Sequence, residues 1–233
     1  MIRSELIKRS PIRLLEKTTH GGLQKGALGV IAGATGTGKT ACLVHLATDK
    51  LFQEKHVIHV SFSEGTRHII AWYEDIFKEV ARRHNLDCAT DVHDHIIKNR
   101  VIMNFKQSDL HMQKVEQSIK TLVEKGNFDA DIVVVDGYNF SLANSDEFCE
   151  VKRFAAELNL AFWFSAHTPD STDELNEIPE IIKPFEYDFE IIIRLDPHDE
   201  EMKLDLLKDH GEPVAQDTHL ILDPHILLIS KEN

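Results

Sequence analysis

The sequence predicts an α/β fold: a central, mostly parallel sheet with helices on both faces and antiparallel strands along one edge. Three observations carry that expectation. Short apolar runs rich in β-branched residues alternate with segments whose apolar residues recur every three or four positions, the pattern of strand–helix–strand units. A glycine-rich stretch, Gly33-Ala34-Thr35-Gly36-Thr37-Gly38-Lys39-Thr40, separates the first such strand from the first such helix. The chain then ends in apolar runs with little room for helices, "FEIIIRL", "MKLDLLK", "HLILD" and "HILLIS", which read as strands in succession.

The elements follow in order. "ALGVIAG" is a buried strand and "TACLVHLA" the helix after the glycine loop. "HVIHVSFSE" (56–64) is a second strand, ending in Glu64. Ile69, Trp72, Tyr73, Ile76, Phe77 and Val80 then fall at helical spacing, as an amphipathic helix requires. "VIMNF" (101–105) is a third strand, and Leu110, Val115, Ile119 and Leu122 mark the next helix. "DIVVVDGYNF" supplies a fourth strand running into Asp136. Phe148, Val151, Phe154, Ala155 and Leu158 mark a helix, "AFWFSAH" (161–167) is a fifth strand, and 168–188 is irregular and acidic.

With 233 residues, 42% of them hydrophobic and 28% charged, the chain suits one globular domain spanning 1–233, with 1–20 as its lead-in. No run approaches the length of a membrane span, and the basic N-terminus lacks the apolar core of a secretory signal. Cys42, Cys88 and Cys149 are scattered and build neither a disulfide framework nor a metal site. A cytoplasmic protein is expected. The formal net charge of −13 opposes sequence-independent binding of nucleic acid.

The glycine stretch matches G-x-x-x-x-G-K-[ST] at every fixed position. A strand, a glycine loop and a helix start aim backbone N–H groups and the positive end of the helix at one place, which is an anion site. Gly33, Ala34, Thr35, Gly36, Thr37, Gly38, Lys39, Thr40 and Ala41 are therefore the candidate nucleotide-binding residues. Lys39 reaches the β- and γ-phosphates in such a loop, and the Thr40 hydroxyl holds Mg²⁺. The implied ligands are ATP and Mg²⁺; no guanine-reading motif is present.

Asp136 closes an apolar strand and is the candidate carboxylate beside that metal, although a strand-end aspartate also caps turns. Glu64 lies at the carboxyl end of the second strand, where ligands bind in open α/β sheets; it is either a base for the attacking water or a solvated loop carboxylate. His167 ends the fifth strand on the same side, fit either to contact the γ-phosphate or to bond nearby backbone. His56 and His59 flank a strand, while His93 and His95 read as a solvated loop with no partners for a zinc set.

The order of these motifs resembles the RecA-like ATPases, and within them the KaiC and RadA group. "THGGLQKGALGVIAGATGTGKTACLVHLA" is similar to the group's opening, "HVIHVSFSEGTRHII" to its second strand and helix, and "DADIVVVDGYNF" to its Walker B strand. "EIIIRL", "LDLLKDHG" and "HLILDPHILLI" resemble its C-terminal antiparallel strands, so the likeness spans roughly residues 21–229. The resemblance implies a three-layer RecA-like P-loop fold and ATP hydrolysis, with Glu64 as catalytic glutamate and His167 as γ-phosphate sensor. It also implies a homo-oligomer, such as a hexameric ring, in which Lys208 reaches a neighbour's nucleotide. The chain departs from the pattern twice. Ser63 precedes Glu64 where relatives often carry a second acid, and His210 stands where their K-x-R motif has arginine. Histidine lacks the fixed donor fork of arginine, so slow hydrolysis is expected.

Relatives that act on DNA do so through the loops after the fourth and fifth strands. Here Asp170 to Glu190 holds eight acidic residues and one lysine, Lys183, a net of −7. That sign repels phosphate. After Asp136 come the aromatics Tyr138 and Phe140 but no Lys or Arg before Lys152. Stacking without phosphate contacts holds a single strand weakly. The sequence thus favours an ATPase switch acting on a protein partner. A DNA-dependent RecA-like or DnaB-like enzyme is the first alternative, and a module that binds nucleotide without hydrolysing it the second.

Overall fold

The computed structural model describes residues 10, 12–62, 65–83, 89–106, 112–169, 177–198, 201–223 and 229–231. Ser63, Glu64, Cys88, Leu110 and the 170–176 part of the acidic segment lie outside them. Among the described residues nine strands form one sheet: β1 (Leu28–Gly33), β2 (Val57–Ser61), β3 (Arg100–Asn104), β4 (Ile132–Asp136), β5 (Ala161–His167), β6 (Phe189–His198), β7 (Glu201–Asp209), β8 (Glu212–Leu222) and β9 (Ile229–Lys231). Their order across the sheet is β3-β2-β4-β5-β1-β6-β7-β8-β9. The first six in that order are parallel, and β7, β8 and β9 complete an antiparallel meander. Of the four terminal strands, β6 is thus parallel to β1 and antiparallel only to β7.

Alternation along the strands divides the core into two layers. Ile31, Val134, Trp163 and Ile193 face one side, where α1 (Ile12–Thr18), α2 (Lys39–Phe52), α3 (Arg67–Arg83) and α4 (Ala89–Lys98) pack. Val30, Val133, Phe164 and Ile192 face the other, against α5 (Met112–Glu124) and α6 (Glu147–Glu157). The central strands β1, β2 and β4 are buried along their whole length, and apart from His59, Ser61 and Asp136 they carry only glycine and apolar residues. α3 buries Ile69, Tyr73, Ile76, Phe77 and Val80, the stripe expected from its spacing. No described helix is long and apolar enough to cross a membrane.

Two local expectations change, and the lead-in gains a helix. His93 and His95 lie on α4 rather than in a loop, because Val92 and Ile96 pack onto the core one turn apart; His93 Nε2 bonds Glu74 at 2.8 Å. The lead-in contributes α1, whose Ile12 and Leu15 are buried and whose Glu16 pairs with Lys50 of α2 at 2.7 Å. Tyr138 and Phe140 are not exposed stacking platforms. Both are buried in an aromatic cluster with Phe148, whose ring stacks on Phe140 at 4.7 Å.

Candidate nucleotide-binding site

Register decides which strand ends meet. Gly33 pairs with His167 across β1 and β5, and Ser61 with Asp136 across β2 and β4, so the glycine loop, Asp136 and His167 share one edge of the sheet. α2 starts at Lys39 directly after the loop, and its N-cap, Gly38, has no side chain with which to cap it. The first turn of a helix begun this way presents backbone N–H groups to an anion.

The loop is shaped by its own contacts. Thr37 Oγ1 donates to the Ala34 carbonyl at 2.9 Å, and Lys39 Nζ donates to the Gly33 and Ala34 carbonyls at 2.8 and 2.5 Å. These bonds fold the ammonium into the concave side of the loop. Gly38 adopts φ 89°, in the left-handed region, and a Cβ there would lie 2.2 Å from Leu222 Cδ2 on β8. Gly33 has a different reason to be glycine, since its Cβ would meet Thr37 Oγ1 at 2.6 Å.

Thr40 and Asp136, distant in sequence, touch: Thr40 Oγ1 donates to Asp136 Oδ2 at 2.8 Å. The other carboxylate oxygen, Oδ1, accepts from Ser165 Oγ of β5 at 2.7 Å. A hydroxyl and a carboxylate are the hard oxygen donors Mg²⁺ prefers, and they stand beside a lysine fit for phosphate. The residues therefore fit Mg²⁺ with a nucleoside triphosphate. An open cleft of about 420 Å³ adjoins them, lined by Thr35, Lys39 and His167 on one side and Tyr138 to Ser141 on the other. His167 is exposed there, with Nδ1 3.4 Å from Thr35 Oγ1.

Two candidates remain. Glu64 lies outside the described residues, two positions beyond Phe62, whose N–H bonds the Asp136 carbonyl at 2.9 Å. Lys208 lies on β7, level with Val30 through Ile192 and so below the edge that carries Gly33. It is only 4% exposed; its ammonium donates to the Glu186 carbonyl and lies 5.6 Å from the Tyr187 ring centroid, all within this chain. Burial holds that ammonium below the usual lysine range. His210 occupies the β7–β8 turn at φ 47° and bonds the carboxylate of its neighbour Asp209 at 2.7 Å.

Sequence reasoning missed Ser165. Its signal is register: β4 and β5 pair Val135 with Phe164, which brings the next residues, Asp136 and Ser165, side by side. It also missed two clasps between α2 and the meander, the Leu222–Gly38 contact and the Ile229 N–H donating to His45 Nδ1 at 2.9 Å. Burial, with Arg83 nearby, pushes His45 down to about 3, so the imidazole is a neutral acceptor.

No curated protein matches the chain. A family model described as an AAA domain, AAA_25, matches residues 4–169. That range takes in β1 to β5, and with them Lys39, Thr40, Asp136 and His167. The loop, the carboxylate placed against it and this match lead to one conclusion: the chain belongs to the AAA domain family AAA_25, a family of P-loop ATPases.

Proposed function

We propose that this protein binds ATP with Mg²⁺, hydrolyses it slowly to ADP and phosphate, and uses its nucleotide state to control a protein partner or assembly in the cytoplasm. The observation that carries the reading is the 2.8 Å contact between Thr40 and Asp136 beside Lys39, a metal-binding pair set against a phosphate loop. The loop backbone and the start of α2 hold the phosphates, and Lys39 exchanges its carbonyl partners for phosphate oxygens. Thr40 and Asp136 hold the metal, which when bound neutralises charge developing on the transferred phosphoryl group. Glu64 activates the attacking water, and His167 faces the γ-phosphate side of the cleft.

The strand order, with β5 between the loop strand β1 and the Asp136 strand β4, supports the resemblance to the RecA and KaiC group. Slow turnover is supported by His210, which bonds Asp209 and offers no guanidinium. A homo-oligomeric ring in which Lys208 serves a neighbour requires its ammonium to leave the Glu186 carbonyl. A DNA-directed role is disfavoured by the burial of Tyr138 and Phe140 in the loop after Asp136.

Phosphate release from ATP, measured with and without single-stranded DNA and beside Glu64→Gln, tests the reading. Turnover indifferent to DNA and abolished in Glu64→Gln is the expected result. Strong stimulation by DNA would replace the switch with a DNA-dependent enzyme. ATP binding without turnover would leave a nucleotide-binding module.

A further inference from the structure

Asp136 is gripped from two sides, and only one grip belongs to the nucleotide loop. The second comes from Ser165, on the neighbouring strand β5 and 3% exposed. Its hydroxyl donates to Asp136 Oδ1 at 2.7 Å and accepts from the Gly137 N–H at 2.9 Å. A hydroxyl has one proton. With Gly137 occupying a lone pair, that proton is directed at Asp136 and nowhere else.

The position follows from the sheet. The β4–β5 pairing runs from Ile132↔Ala161 to Val135↔Phe164. At the next step the Ser165 side chain bonds both the carboxylate of Asp136 and the backbone N–H of Gly137. The bend at Gly137, with φ 80°, is thereby tied to the carboxylate that precedes it.

We propose that Ser165 is a positioning residue for the metal carboxylate: by occupying Oδ1 it turns Oδ2 toward Thr40 and fixes Asp136 as a one-oxygen ligand. The proposal rests on the reading of Thr40 and Asp136 as the metal pair. Mg²⁺ demands near-ideal octahedral geometry and usually takes one or two carboxylates while keeping several waters, so a carboxylate locked about its torsion suits it. Partners that orient a metal ligand in this way typically change metal affinity by about 10–100-fold when removed.

The test is Mn²⁺ affinity of the protein–ADP complex, read by electron paramagnetic resonance, in wild type, Ser165→Ala and Ser165→Thr. ADP affinity in excess EDTA is measured beside it. The expected result for Ser165→Ala is Mn²⁺ affinity lower by about 10–100-fold with metal-free ADP affinity unchanged, and recovery in Ser165→Thr, which keeps the hydroxyl. Unchanged Mn²⁺ affinity in Ser165→Ala overturns the proposal. So does an equal fall in Mn²⁺ and metal-free ADP affinity, which would make Ser165 a general support of the loop. Wild type that binds ADP without any Mn²⁺ dependence would instead remove the metal pair, and this proposal with it.

Discussion

The parallel strands β1 to β6 and the antiparallel meander β7 to β9 both bury polar side chains, but they distribute them differently. In the parallel part His59 is answered by the Tyr73 hydroxyl, but Ser61, Asp136 and Ser165 gather at or near the carboxyl ends of strands, and two of them bond each other beside the glycine loop. In the meander Lys208, Asp209 and Thr218 are each answered within the chain: Lys208 by the Glu186 carbonyl, Asp209 by His20 and His210, Thr218 by the Leu204 carbonyl. A buried polar group is costly unless it is hydrogen-bonded, so burial alone does not mark a site. Convergence on an open cleft does.

Two lysines sharpen that contrast most. Lys39→Ala should lower ATP turnover by about 10²–10³-fold, the scale of removing one donor to developing charge. Lys208→Ala should lower the urea midpoint, and should lower turnover only at concentrations where the protein assembles. A turnover loss for Lys208→Ala in the monomer would break the distinction between the two regions.

The next largest effect is on stability against pH, through one histidine that holds the meander to α2 and one within the parallel strands. His45 clasps the Ile229 N–H of β9, and His59 of β2 contacts the Tyr73 hydroxyl at 3.1 Å; burial pushes both down to about 3 from the ordinary 6.5. Because the folded state binds these protons less readily than the unfolded one, their contribution is complete above pH 6.5. It is lost as pH falls from there toward 3. Each histidine contributes a slope of up to about 1.4 kcal/mol per pH unit. Urea unfolding at pH 7 and pH 5 reads the loss, and His45→Asn, which retains an acceptor for Ile229, should remove about half of it. An unaltered slope in His45→Asn would show that the clasp does not titrate.

The smallest effect is a difference between two glycines. Gly36 and Gly38 both have positive φ, 81° and 89°, but only at Gly38 would a Cβ strike the meander. Each alanine substitution should cost about 1–2 kcal/mol for the left-handed backbone. Gly38→Ala should cost more than Gly36→Ala, and Leu222→Ala should erase the surplus. Equal costs in thermal unfolding would mean that Leu222 does not bear on the loop.

Much of the parallel half was legible because β-branched runs such as Ile132–Val135 suit buried strands of a parallel sheet, and because the glycine loop is a local motif. α4 was not, since Val92 and Ile96 anchor a segment otherwise rich in charge and histidine. Ser165 was not, because its role depends on register between strands far apart in sequence. The inward turn of Lys208 was equally hidden: a lysine in "LDLLKDHG" reads as exposed until Glu186 and Tyr187 are placed beside it. Tyr138 and Phe140 misled for the opposite reason, looking like loop aromatics while filling the core.

The place of β1 in the sheet has one more consequence. The family match stops at residue 169, yet β6 is hydrogen-bonded directly to β1, the strand that leads into the phosphate loop. A fragment cut at that limit would leave Leu28–Gly33, apolar along its length, as a bare sheet edge inviting another strand. The stretch that carries the family's pattern is therefore shorter than the stretch that keeps β1 from pairing with a stranger.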